Sequence, residues 1–316
     1  MFNYDELLKT APAQEQNSQN LSNEEYAAMK RAERDDIFTL SDDIAMEVSS
    51  DSSKFQDYLN VQSKFDRYSA VNALLILAQN PDATRLGNFD YWKDKGGYIK
   101  PDEKSISILE PQEYTKKDGT PGVGYNIRKV FDISQINQRK MKPEPKPPNF
   151  DRETLFSALI KKAPSLITPV DSIPSTVPDN MRNEFGGASD PQTGEIYIQR
   201  GMEFRDAFAA VAVELAYAET VNDISDVAEP RFTAHCAAYL LCEKYGVDTK
   251  NFSFDDAPGT FENTPDLDSS KDNSRPQTIK YELSKIRNAA EGVASRVERQ
   301  LDAAQQQKTV KEQEAR

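Results

Sequence analysis

Cysteine, histidine and tryptophan are nearly absent from this 316-residue chain, which holds two, one and one of them. The cysteines, Cys236 and Cys242, are not spaced as CxxC, and six residues apart on a helix they point in different directions. That pattern points to buried, reduced thiols and a cytoplasmic setting rather than a disulfide framework. No stretch approaches the ~18–20 apolar residues that span a bilayer, so no membrane partner is expected. The opening MFNYDELLKT has neither a basic n-region nor an apolar h-region, so no secretory signal is expected either. Basic charge is scarce too, and a net charge of −13 argues on its face against nucleic acid.

The charge is uneven, however. Residues 54–142 hold 15 Lys and Arg against 11 Asp and Glu, so the rest of the chain carries −17. A nucleic-acid site belongs in that one basic segment. The length suits two ordinary domains. Composition predicts an acidic, polar and mobile arm over 1–50. Residues 51–142 read as helices (KFQDYLNVQSKF, YSAVNALLILAQ, NFDYWKDKGG) followed by two strands, SISILEPQEY and YNIRKVFDIS, joined as a hairpin. A Pro/Lys-rich linker covers 143–150, and a second, mainly helical domain covers 151–262, with GEIYIQR as a short strand. Residues 263–316 turn polar and then offer one long helix. Its Ile279, Leu283, Ile286, Ala290, Val293, Val297 and Leu301 recur every three or four residues, a docking or coiled-coil stripe that allows a protein partner. The predicted fold class is α+β: a small helix-plus-antiparallel-sheet domain, then a mainly helical domain with a short sheet, then the long C-terminal helix.

Two places can carry chemistry. Within AFAAVAVELAYAET the carboxylate of Glu214 interrupts an apolar helix. A zincin helix needs two histidines at i and i+4 to hold Zn²⁺, with a Glu between them to act on the metal-bound water. VELAY keeps that Glu but has neither histidine. A helical wheel sets Glu214 at the border of the stripe formed by Phe204, Phe208, Val211 and Leu215, so deep burial is not required. Three readings stay open. Glu214 is a structural remnant paired by Tyr217 or a nearby basic group; or part of a rewired metal site with Glu219, His235 or Cys236; or an edge carboxylate on an ordinary amphipathic helix.

In the basic segment, aromatic faces stack on exposed bases and cations follow phosphates, which tolerates any base sequence. Tyr68, Tyr91, Trp92 and Tyr98 are the candidate stackers, with Trp92 and Tyr91 equally plausible as core. Arg67, Lys93, Lys95, Lys100, Lys104, Arg128 and Lys129 are candidate phosphate contacts. Asn72 and Gln79, on one face of an apolar helix, either read a base or bridge neighbouring backbone.

GGASDPQTGEIYIQRGM, FAAVAVELAYAE and TAHCAAYLLCEKYGVDTKNFSF together resemble the C-terminal metallopeptidase-like domain of ArdC-type antirestriction proteins. In that family an HELAHAE helix is followed by a helix whose Glu completes the metal site. Val213 and Tyr217 stand at the two histidine positions, and His235 at that of the third ligand. The resemblance implies the fold and, with all three ligands replaced, argues against the activity: without a metal the pKa of water returns from about 7 to about 15.7. RYSAVNALLILAQNPDAT, FDYWKDKGGYIKPDEKSISILEP and VFDISQ resemble the family's N-terminal single-stranded-DNA-binding domain. PDEKS departs from the Gly-Glu-Lys turn usual there. Together the resemblances imply a non-enzymatic, cofactor-free protein of a mobile element that holds single-stranded DNA, with antirestriction as its setting. A metallopeptidase with substitute ligands and a structural or interaction protein are the alternatives.

Overall fold

The computed structural model describes residues 22–116, 118–143, 149–221, 229–267 and 274–314, with side chains of the last helix described to residue 307. Three helices lead: α1 (Asn23–Ser50), α2 (Ser52–Lys64) and α3 (Ala70–Gln79). The first replaces the mobile arm predicted for 1–50, of which residues 1–21 lie outside the described part. Its polar composition hides a periodic stripe in which Met29, Glu33, Ile37 and Leu40 are half-buried and Ile44, Ala45 and Val48 are buried. That spacing of three and four suffices for a helix. At the start of α2, Asp51 accepts hydrogen bonds from the amides of Ser53 (2.8 Å) and Lys54 (3.1 Å), satisfying donors that a helix start leaves orphaned.

The chain divides into two compact units, and the division is not linear. Residues up to Ile44 join Leu74–Pro143, while Ala45–Ala73 joins the chain from 144 onward. The boundaries predicted at 51 and 143 differ from this division, which groups α2 with the later chain. Its apolar face explains why: the Phe55 ring lies 5.6 Å from Phe232, 5.7 Å from Phe254 and 5.4 Å from Phe261, centroid to centroid, all in the second unit. The linker predicted at 143–150 falls mostly outside the described residues.

In the first unit the core lies between the end of α3, the helix α4 (Phe89–Asp94) and a hairpin of β3 (Ile106–Thr115) with β4 (Pro121–Asp132), after the short strands β1 (Leu86–Gly87) and β2 (Tyr98–Ile99). The hairpin pairs Ile106 with Val130 and Thr115 with Pro121; β1 lies along the other edge of β4, and β2 pairs with β5 (Ile136–Asn137). Only the first four residues of β3 are buried; the far half of the hairpin stands in solvent. The stretch VFDISQ is its knot. The buried Asp132 carboxylate accepts from the amides of Thr84 (2.7 Å), Arg85 (2.8 Å) and Ser134 (2.8 Å). Burial opposes its charge, but these hydrogen bonds prevail and hold its carboxyl below the usual range. Gln135 donates to the Lys104 carbonyl at 2.7 Å, fixing the PDEKS turn.

The second unit adds α5 (Arg152–Ile160), β6 (Ile167–Val170), β7 (Gly187–Ser189), β8 (Ile196–Gln199), α6 (Phe204–Val221), α7 (Pro230–Tyr245), α8 (Ala257–Asn263) and α9 (Ser274–Glu314). Its sheet runs β6–β8–β7, parallel then antiparallel. The fold is α+β, with small sheets and a long C-terminal helix. Gly246, at φ +68°, ends α7 in the left-handed region that glycine tolerates. The seven stripe residues of α9 are all buried, and α9 packs on α6, α7 and α5. The stripe is thus used up inside this unit, which removes it as the partner surface allowed by sequence. Among the described residues no helix is long and apolar enough to cross a membrane.

Candidate functional site

In the first unit, α4 sorts its own aromatics. Asn88 caps it by accepting from the Tyr91 amide at 2.9 Å. Trp92 is fully buried, its indole N–H donating to the Phe131 carbonyl at 3.0 Å, with the Arg85 guanidinium 5.3 Å from its ring. It is core and not a stacking platform: a buried indole with its donor satisfied has no face left for a base. Tyr91 stays at the surface, edge-on to Trp92 at 4.9 Å, with the Lys95 ammonium 5.6 Å from its ring. A side chain at Gly87 would strike the Tyr91 ring at 2.1 Å, so only glycine there lets the ring lie down. Tyr98, on β2, is 56% exposed, and so is Phe89, the first residue of α4, which is not among the sequence candidates.

Cations gather around the same β2–β5 ladder. Lys93 and Lys104 are exposed, and the Lys100 ammonium reaches the Ser134 carbonyl at 2.6 Å. Gly96, at φ +81°, lets the backbone of Lys140 approach so closely that a Cβ would sit 2.6 Å from its carbonyl oxygen. Arg139, Lys140 and Lys142 thereby join this neighbourhood, although none of them is a candidate by sequence.

Other candidates are committed elsewhere. Gln79 bridges backbone, the second of its two alternatives, donating to the Ser107 carbonyl (2.9 Å) and accepting from its amide (2.8 Å). Arg128 pairs with Glu110 across the hairpin. Lys129 bonds Ser107 Oγ at 2.9 Å and pairs at 2.9 Å with Glu33 of α1, which also holds Lys30 at 2.9 Å. Partial burial opposes the charge of Glu33, and the two ammonium groups outweigh it, holding its carboxyl below the usual range. Arg67, Tyr68 and Asn72 fall in the second unit: Arg67 is exposed, Tyr68 lies edge-on to Phe65 at 5.8 Å, and Asn72 is buried.

The VELAY segment of α6 is closed. Glu214 is fully buried, against the border position predicted by the helical wheel, because β7 covers that side. Its carboxylate accepts from Asn183 Nδ2 (2.8 Å), from Ser189 Oγ and from the Arg231 guanidinium (2.8 Å). Of the readings left open for Glu214, the nearby basic group is realised. The Tyr217 hydroxyl points to Met181 Sδ at 3.9 Å, and its ring lies 4.4 Å under the Arg231 guanidinium.

Tested against a metal, the donors do not fit. Val213 is buried and has none. His235 spends Nδ1 on Glu184 at 2.7 Å and Nε2 on the Ser253 carbonyl at 3.1 Å, within a cage of Phe185, Phe252 and Phe254. Glu219 faces Arg296 at 3.6 Å. Cys236 and Cys242 are free and buried, and burial pushes both thiols well up, away from the thiolate form that binds metal. Among the described residues no three His, Cys, Asp or Glu side chains converge.

Residues 40–145 match the family model described as the N-terminal domain of anti-restriction factor ArdC. An uncharacterized protein of Bacillus anthracis is 24% identical over 243 residues, which cover 61% of this chain and 41% of that protein. The chain thus spans about two fifths of that relative's length. Two crystal structures of the antirestriction ArdC protein from the R388 plasmid, metal-free and Mn(II)-bound, share 14% identity with it. They cover 75% and 74% of this chain and 86% and 85% of their own, with TM-scores of 0.46 and 0.44, too low to transfer geometry.

Proposed function

We propose that the protein binds single-stranded DNA with little sequence preference, on the premise that residues 40–145 match the model of the N-terminal domain of anti-restriction factor ArdC. Antirestriction on behalf of a mobile element is the role this reading serves. The observation that carries it is the surface around the β2–β5 ladder, where the exposed rings of Phe89, Tyr91 and Tyr98 stand among Lys93, Lys95, Lys100 and Lys104. Rings supply stacking at ~1–3 kcal/mol per base, and cations supply the phosphate attraction. Holding DNA requires no hydrolysis. The second unit is read as a metallopeptidase-like scaffold without catalysis, a reading supported by Val213 at a ligand position and by the hydrogen-bonded commitment of Glu214.

Trp92 is too buried to report on DNA, so the test is anisotropy of a labelled mixed-sequence oligonucleotide titrated with the full chain. About five phosphate contacts predict a roughly 100-fold loss of affinity between 50 and 200 mM salt. Binding that ignores salt, or equal preference for duplex, would overturn the proposal. Transfer of unmodified DNA into a restricting host, with and without the protein, tests the antirestriction role.

A further inference from the structure

The motif on α6 implies a cation, and the structure already contains one in covalent form. Glu214 is fully buried, and a buried carboxylate without a compensating charge is among the costliest arrangements in a protein interior. The charge facing it belongs to Arg231, in the first turn of α7, 2.8 Å away. A helix N-terminus disfavours a cation, because the backbone dipole is positive there. The local electrostatics of α7 therefore give no reason for Arg231, whereas Glu214 does.

The guanidinium is fixed by three different contacts. One nitrogen serves Glu214, a second donates to the Met181 carbonyl, and the guanidinium carbon lies over the Tyr217 ring, 4.4 Å from its centroid. The side chain is 15% exposed, and its Nε–H is buried with no hydrogen-bond partner. It is held in spite of that orphaned donor, for its charge and its planarity. Tyr217 stands where the resemblance places a second metal ligand, so the guanidinium covers that position as well. A metal ion brought to this point would meet a fixed positive charge, a saturated carboxylate and, at Val213, no ligand.

We propose that Arg231 is the built-in substitute for the motif's metal: it neutralises Glu214, caps Tyr217 and makes the fold of the second unit independent of any divalent cation. Arginine suits the role better than lysine, since only a planar group can pair with a carboxylate and lie on a ring at once.

Thermal unfolding of the full chain tests this, comparing wild type with R231M, R231K, E214Q and E214Q/R231M, each with EDTA, Mn(II) or Zn(II). EDTA and both metals should leave the wild-type Tm unchanged. R231M should lower it by roughly 10 °C, because an uncompensated buried charge remains. R231K should fall between the two. E214Q/R231M should recover at least half of the loss, since neither charge is then left alone. If R231M does not fold at all, recovery of folding in the double variant supports the proposal equally. A wild-type Tm lowered by EDTA or raised by metal overturns it. So does an R231M Tm equal to wild type, or a double variant no better than R231M, which would make the loss one of packing and not of charge.

Discussion

The neighbourhood of β2–β5 and the motif helix α6 hold similar ingredients, tyrosines beside cations and carboxylates, and they differ in how far those groups are satisfied. The Glu214 carboxylate on α6 is fully buried with three donors, and the Arg231 guanidinium on α7 has a carboxylate, a carbonyl and a ring, with only its Nε–H unpartnered. Around β2–β5, Tyr98 and Phe89 are more than half exposed, and no ion pair among the described residues ties Lys93, Lys104 or Lys140. A saturated cluster contributes to the fold and has nothing to offer a ligand. An unsatisfied one adds little to stability and can bind. On the proposed reading, the residues that look most like chemistry in the sequence are the structural ones.

That contrast can be broken by substitutions of graded effect. The largest is W92A, which should destabilise the first unit by about 3–5 kcal/mol, as loss of a buried tryptophan does, measured by urea unfolding. A drop below about 1 kcal/mol would return Trp92 to the list of platforms.

Glu282 on α9 is an unsatisfied carboxylate within the second unit. It is buried with neither oxygen hydrogen-bonded, and burial raises its pKa from 4.5 to about 7. An acid whose folded pKa is raised costs nothing at low pH. Its cost grows as pH climbs from the unfolded pKa and is complete above about 7. At 1.36 kcal/mol per unit that is about 3 kcal/mol. E282Q should therefore be more stable than wild type at pH 8 by up to that amount and no more stable at pH 4, in parallel urea titrations. Equal stability at pH 8 would mean that the carboxylate finds water or a partner.

Y98A should leave stability within ~0.5 kcal/mol and weaken oligonucleotide binding by about 1–3 kcal/mol, or roughly 5- to 150-fold. Unchanged binding would remove the β2–β5 surface from the DNA path. The smallest effect is expected of E33Q. Glu33 of α1 occupies Lys129 as a phosphate would, and a surface pair is worth about 0–1 kcal/mol. Releasing Lys129 should raise DNA affinity by no more than about fivefold, and no change would place Lys129 outside the DNA path.

Element types were legible because their signals are local. The apolar run of α3, the Gly96–Gly97 stop after α4, the alternation in β3 and the Gly246 stop of α7 each lie within a few residues of what they govern. Helix α1 was missed because average composition conceals a stripe that only spacing reveals. VFDISQ was legible as a marker, but its task was not: Asp132 serves amides 47 and 48 residues upstream. Of the candidate DNA contacts, the exposed Tyr91 and the buried Trp92 are alike in sequence, since burial depends on the whole set of packed neighbours.

The sequence alone determined where most of the helices and the β3–β4 hairpin form, that the basic charge lies in 54–142, and that Val213 brings no donor atom to α6, because these follow from residue type and short-range spacing. Only the tertiary structure decided which aromatics are core, that α2 packs with chain nearly two hundred residues away, and that Arg231 answers Glu214 from a neighbouring helix. Those outcomes turn on long-range packing and on the exclusion of water, and a charge or a ring acquires its role only when its surroundings are complete.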